Sequence, residues 1–139
     1  WSLGKKLVEG FRSIAKAERV PDYVRIIGFD CNPQIVCTSQ DGVYWPELVT
    51  SFHEEMISHG VLMPWISITY AHGQKELDAT FEALRSGMRK VKSVIESGTV
   101  SSSFTGEAVK PVFRSFNKCK QAQCGLLNSA VPKLDCCRN

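Results

Sequence analysis

Four groups of residues in this chain carry functional groups that could do chemistry. His53, Glu54, Glu55 and His59 set two imidazoles beside two carboxylates, the donor types of a zinc site or of a metal-activated water. Their spacing argues against both. A metal-binding helix of the H-E-x-x-H type holds its histidines four apart, whereas positions six apart do not share a helical face. Structural roles are expected for all four. His72 stands where an apolar run meets an amphipathic one. There an imidazole is expected to bond the free backbone groups of a helix start rather than to act as a base, and no nucleophile is paired with it. Lys75, Lys90 and Lys92 lie among polar residues and read as solvated amines, so no Schiff-base lysine is named. Arg85, Arg89 and Lys92, at steps of four and three, read as the wet side of the same helix. Of six cysteines, Cys119, Cys124, Cys136 and Cys137 fall in the last 21 residues, with Cys31 and Cys37 far upstream. That distribution fits neither a disulfide framework nor a zinc tetrahedron, so reduced thiols are expected. The sequence has no G-x-S-x-G, Walker or G-x-G-x-x-G motif, which sets aside the common hydrolase, phosphate-loop and dinucleotide chemistries.

The elements that must position these groups are legible from periodicity. Leu3, Leu7, Val8, Phe11, Ile14 and Ala15 recur at helical spacing and predict an amphipathic helix that ends before Pro21. Tyr23–Phe29 and Gln34–Thr38 are rich in β-branched residues and flank the turn-forming Asp30-Cys31-Asn32-Pro33, which predicts a strand, a turn and a strand. Asp41-Gly42 turns the chain again. Leu48, Val49, Phe52, Met56 and Ile57 line one face of a helix from Pro46 to Gly60. Val61–Met63 and Ile66–Tyr70 are expected as two short strands around a Pro64-Trp65 kink. The strongest period, Leu77, Phe81, Leu84, Met88, Val91 and Ile95, predicts a third helix from Gln74 to Gly98, with Gly73 as N-cap and Glu76 in its first turn. Thr99–Gly106 reads as a linker, and within the tail Val109–Phe116 reads as able to bind a surface. The order α-β-β-α-β-β-α implies an α+β fold, a small sheet of mostly antiparallel strands covered on one face by helices.

Length and composition bound the rest. With 139 residues, 43% of them hydrophobic, the chain can bury one core, and a net charge of +3 without basic blocks gives no reason to expect nucleic acid as a partner. Weak RNA binding by the basic helix stripe would rest on charge alone. No run reaches the roughly 18 apolar residues of a membrane span, and Lys5, Lys6, Glu9 and Arg12 would interrupt a signal-peptide core, so a soluble, cytoplasmic protein without a membrane is expected. The chain opens on Trp1, inside a helix and without an initiator Met, and it is expected to continue upstream.

Two stretches carry a family resemblance. Phe52-His53-Glu54-Glu55-Met56-Ile57-Ser58-His59-Gly60-Val61-Leu62-Met63-Pro64 resembles the segment of class-III aminotransferases in which a helix F-x-x-x-(M/L)-x-x-x-G-V leads into a strand. Ser67-Ile68-Thr69-Tyr70-Ala71-His72-Gly73-Gln74-Lys75-Glu76-Leu77-Asp78-Ala79-Thr80 is similar to the (S/T)-x-A-H-(T/S)-x-x-(D/E)-(I/L)-(D/E)-x-T signature that delivers a strand into the family's long final helix. Leu3–Lys16 and the strands around Gly28 resemble the opening of the same domain in glutamate-1-semialdehyde aminomutases. Gly73 stands in place of the usual Thr or Ser, and Pro64-Trp65 passes to Ile66 where the aminomutases carry a longer loop.

The resemblance covers about residues 1–98 and implies the small C-terminal domain of the pyridoxal-phosphate transferase fold, with residues 99–139 a linker and unassigned tail. It implies a cytoplasmic, homodimeric parent enzyme that moves an amino group on a small amino or keto substrate through pyridoxal 5'-phosphate. The Schiff-base lysine, the acid and the phosphate cup would belong to a large domain that this chain lacks. By itself the chain would then bind no cofactor or metal, carry no catalytic residue and be inactive. Its expected contribution is a wall of the substrate cleft, for which Met63, Pro64 and Trp65 are the candidates. The rival expectation is a stand-alone protein-binding or scaffold module with a cysteine-rich tail.

Overall fold

A computed structural model describes residues 1–100 and 103–110. Within them the chain forms α1 (Ser2–Ala17), β1 (Val24–Phe29), β2 (Asn32–Cys37), α2 (Pro46–Ser58) and α3 (Gln74–Ser97). The architecture is α+β, with three helices and a two-stranded antiparallel sheet.

β1 and β2 form a hairpin closed by only Asp30 and Cys31, in a register running from Val24 opposite Cys37 to Phe29 opposite Asn32. Successive strand residues face opposite sides. Val24, Ile26 and Cys37 are buried on the side that α1 and α2 cover, while Arg25, Ile27 and Phe29 are exposed on the other. α3 packs against both other helices, and of the two strands α1 lies more on β1 while α2 lies on β2. Phe11, Leu48, Phe52, Met56, Leu84, Met88 and Val91 are the large, fully buried side chains of the shared core.

Close packing of α2 against α3 depends on Gly87. A β-carbon there would lie 2.9 Å from Cε2 of the Phe52 ring and 3.3 Å from the Met56 sulfur. α3 ends at Gly98, which adopts a left-handed conformation (φ 65°) and donates its N–H to the Val94 carbonyl. α1 ends differently, with Arg19 in the left-handed region (φ 63°) and the Val20 N–H returning to the Ala15 carbonyl.

The expected strands at Val61–Met63 and Ile66–Tyr70 do not form. The segment is irregular with a bend at Pro64-Trp65, and Met63 and Ile66 insert into the core, but among the described residues no backbone ladder engages residues 62–68. Pro64 has no N–H to offer such a ladder, and the hydrophobic insertion that produced the strand-like pattern holds the segment without one. The stretch expected as a linker is fastened along α2. Ser51 Oγ donates to the Ser103 carbonyl (3.4 Å), Glu54 accepts the Thr105 N–H (3.1 Å) and Thr50 Oγ1 accepts the Val109 N–H (2.9 Å). The four tail cysteines and most of the Val109–Phe116 surface segment lie outside the described residues.

Candidate functional site

The first turn of α1, the hairpin turn and the irregular segment before α3 meet at one end of the domain. A β-carbon at Gly4 would stand 1.9 Å from the Asp30 carbonyl oxygen and 3.1 Å from Ile68 Cδ1, so only glycine lets these three pieces approach. The residues flanking this junction in sequence are large, apolar and in solvent. Trp1 is 79% exposed, Phe29 is 75% exposed and Tyr70 is fully exposed. Of the three residues proposed from sequence to wall a cleft, Met63 is seated in the core, while Pro64 is exposed and Trp65 is 67% exposed.

Delivery of this segment into α3 is fixed by two local hydrogen-bonded groups. His72 Nδ1 accepts the Thr69 N–H at 3.0 Å and lies 3.0 Å from Thr69 Oγ1, so a neutral ring carries its proton on Nε2. Glu76 Oε2 accepts the Gly73 N–H at 2.8 Å. That bond, first among the causes, holds the Glu76 carboxyl below the ordinary carboxylate range. His72 thus acts on local backbone, but on the Thr69 N–H ahead of the helix rather than on the free groups of the helix start that the sequence suggested.

Of the His53–His59 group, only Glu55 and His59 come together, with Oε1 3.7 Å from Nδ1. Burial pushes the His53 pKa down, and its ring meets Phe52 edge-on with centroids 5.6 Å apart. Glu55 accepts Ser86 Oγ at 2.6 Å, while Glu54 is turned to the Thr105 N–H. His59 Nδ1 lies 3.1 Å from both Ser58 Oγ and the Glu55 carbonyl. Among the described residues no group of three or more His, Cys, Asp or Glu is placed to hold a metal. The basic stripe on α3 is partly neutralised, with Arg85 on Glu82 at 2.8 Å and Arg89 on Glu18 at 3.0 Å. Cys37 is fully buried, and burial raises its thiol pKa to about 12, so it remains protonated at neutral pH.

Two depressions mark the hairpin. One, of about 230 Å³, lies between α1 and β1 and is bounded by Phe11, Ala15, Pro21 and Ile27. The other, of about 370 Å³, lies at the open end of the hairpin and is polar, lined by Asp22, Arg25, Thr38, Ser39, Gln40 and Gly42. Neither is lined by a lysine. The polar depression was not legible as a motif because its residues come from the two ends of the hairpin. Only the register, with the Thr38 N–H on the Tyr23 carbonyl at 2.9 Å, places Thr38 diagonally across from Arg25.

No helix among the described residues is long and apolar enough to cross a membrane. No protein-family model, curated protein or solved structure matches this chain.

Proposed function

We propose that residues 1–98 are the small C-terminal domain of a pyridoxal-phosphate-dependent aminotransferase or aminomutase of class III. The observation that carries this reading is the Ser67–Thr80 run, in which an irregular segment enters a long helix through His72 and Gly73. Its two conspicuous polar positions have physical work at that junction, since His72 fixes Thr69 and Glu76 caps α3 through the Gly73 N–H. The exposure of Trp1, Phe29, Trp65 and Tyr70 supports the same reading. Large apolar side chains in solvent are what a domain presents where a second domain should cover it.

In this reading the large domain holds the cofactor and its lysine, and no catalytic step is assigned to this chain. Its part is to cover the substrate cleft and to exclude water on closure. Pro64 and Trp65, exposed on a bend that Met63 anchors from within the core, are the candidates for that wall. The parent would be a cytoplasmic homodimer acting on a small amino or keto compound.

The test is the sequence of the native polypeptide immediately before Trp1, from the coding frame or from N-terminal peptides of the natural protein. Several hundred upstream residues with a lysine at a strand end and a preceding aspartate at cofactor-site positions are expected. A native chain that starts near Trp1 overturns the proposal and leaves the stand-alone binding module in its place.

A further inference from the structure

The polar depression at the open end of the hairpin contains two opposite charges that do not satisfy each other. Arg25 offers five N–H donors, of which one reaches Thr38 Oγ1 at 3.4 Å, and among the described residues its guanidinium makes no ion pair within 4.0 Å. The Asp22 carboxylate has neither a hydrogen bond nor an ion pair among the described residues. Both residues nevertheless line one depression of about 370 Å³.

The frame that holds them is built from buried and hydrogen-bonded groups. Thr38 is only 3% exposed, and its hydroxyl donates to the Asp22 carbonyl at 3.4 Å while accepting from Arg25. It therefore ties the arginine to the strand end that bears the aspartate. The rim is a closed turn, with the Ser39 N–H on the Val43 carbonyl (2.8 Å), the Gly42 N–H on the Ser39 carbonyl (2.9 Å) and the Val43 N–H on Ser39 Oγ (3.3 Å).

We propose that this depression binds a small zwitterion of the α-amino-acid class, its carboxylate on the Arg25 guanidinium and its ammonium on the Asp22 carboxylate. A guanidinium fork matches a carboxylate in shape and charge, and an ammonium close to that carboxylate can answer Asp22. A phosphate is the poorer match, because its charge would meet one cation and the repulsion of Asp22. The cavity is also roomy enough for a side chain and accompanying water. This site is independent of whether the chain is part of a transferase.

The experiment is an amide ¹⁵N–¹H NMR titration of the full 139-residue chain with each standard L-α-amino acid at millimolar concentration. The same titration is repeated with the N-acetyl and carboxamide derivatives of the strongest binder and with inorganic phosphate. At least one amino acid is expected to shift the amides of Arg25, Thr38, Ser39 and Gly42. Removing either ligand charge should weaken binding by roughly ten-fold or more, the usual worth of one charged hydrogen bond. Both charged side chains are exposed, so D22N and R25Q should keep the fold, R25Q retaining a donor for Thr38, and each should show a comparable loss. The proposal is overturned if no amino acid shifts these amides, if the derivatives bind as tightly as the parent amino acid, or if phosphate binds more tightly. The derivative series uses the unaltered chain, so the outcome stands even where a variant fails to fold.

Discussion

Replacing Gly87 with alanine opposes two effects of known sign. Alanine in a helix interior is favoured over glycine by about 1 kcal/mol, through the backbone entropy that glycine loses on folding. Against this, the new methyl carbon would lie 2.9 and 3.0 Å from two carbons of the Phe52 ring and 3.3 Å from the Met56 sulfur. Neither side chain has room to retreat, because Phe52, Met56, Leu84 and Met88 are all fully buried. Overpacking of such a site costs about 1–3 kcal/mol. The clash should therefore win, leaving G87A about 1 kcal/mol less stable, which for a domain of this size lowers Tm by roughly 4–8 °C. Urea unfolding followed by helical circular dichroism measures the difference, and the slope should not change. Ala79, exposed on the same helix, supplies the calibration, since A79G should cost about 1 kcal/mol from propensity alone. A G87A chain as stable as the parent or more so would refute the claim that α2 and α3 approach through that glycine.

Arg19 holds a left-handed backbone (φ 63°) with no partner for its side chain among the described residues, so R19G should raise stability by up to about 1 kcal/mol in the same assay. Cys37 tests burial by pH. Its pKa rises from 9.0 to about 12 in the folded chain, so the unfolded chain loses this proton first, and stability should fall from pH 9 upward by about 1.4 kcal/mol per pH unit. C37A should remove that share of the slope in alkaline unfolding curves, and an unchanged slope would contradict the burial. Glu76 has the opposite sign. Its folded pKa lies below the ordinary 4.5, so its contribution is present above that value and lost as acid protonates the carboxylate. E76Q should flatten the acid limb of the stability profile and weaken protection of the Gly73 amide in hydrogen exchange.

Helix positions were legible because the code for them is local. Leu77, Leu84, Met88 and Val91 keep a helical step, and Gly98 closes the pattern. Segment 61–70 misled because Met63 and Ile66 carry a burial signal that does not depend on whether a ladder forms. Strand pairing requires a neighbour, and no local pattern names one. The polar depression shows the same limit, since Asp22 and Ser39 become neighbours only through the two-residue turn at Asp30 and Cys31, whereas the sequence suggested a longer one.

The sequence by itself determined the helices, the hairpin and a local backbone duty for His72, because each depends on residues within a few positions of one another. The tertiary structure decided that Met63 belongs to the core while Trp65 faces solvent, that Gly4 and Gly87 are close-approach sites, and that Arg25 and Asp22 share a cavity. These are relations between distant segments, set by which faces the helices and hairpin bury against each other.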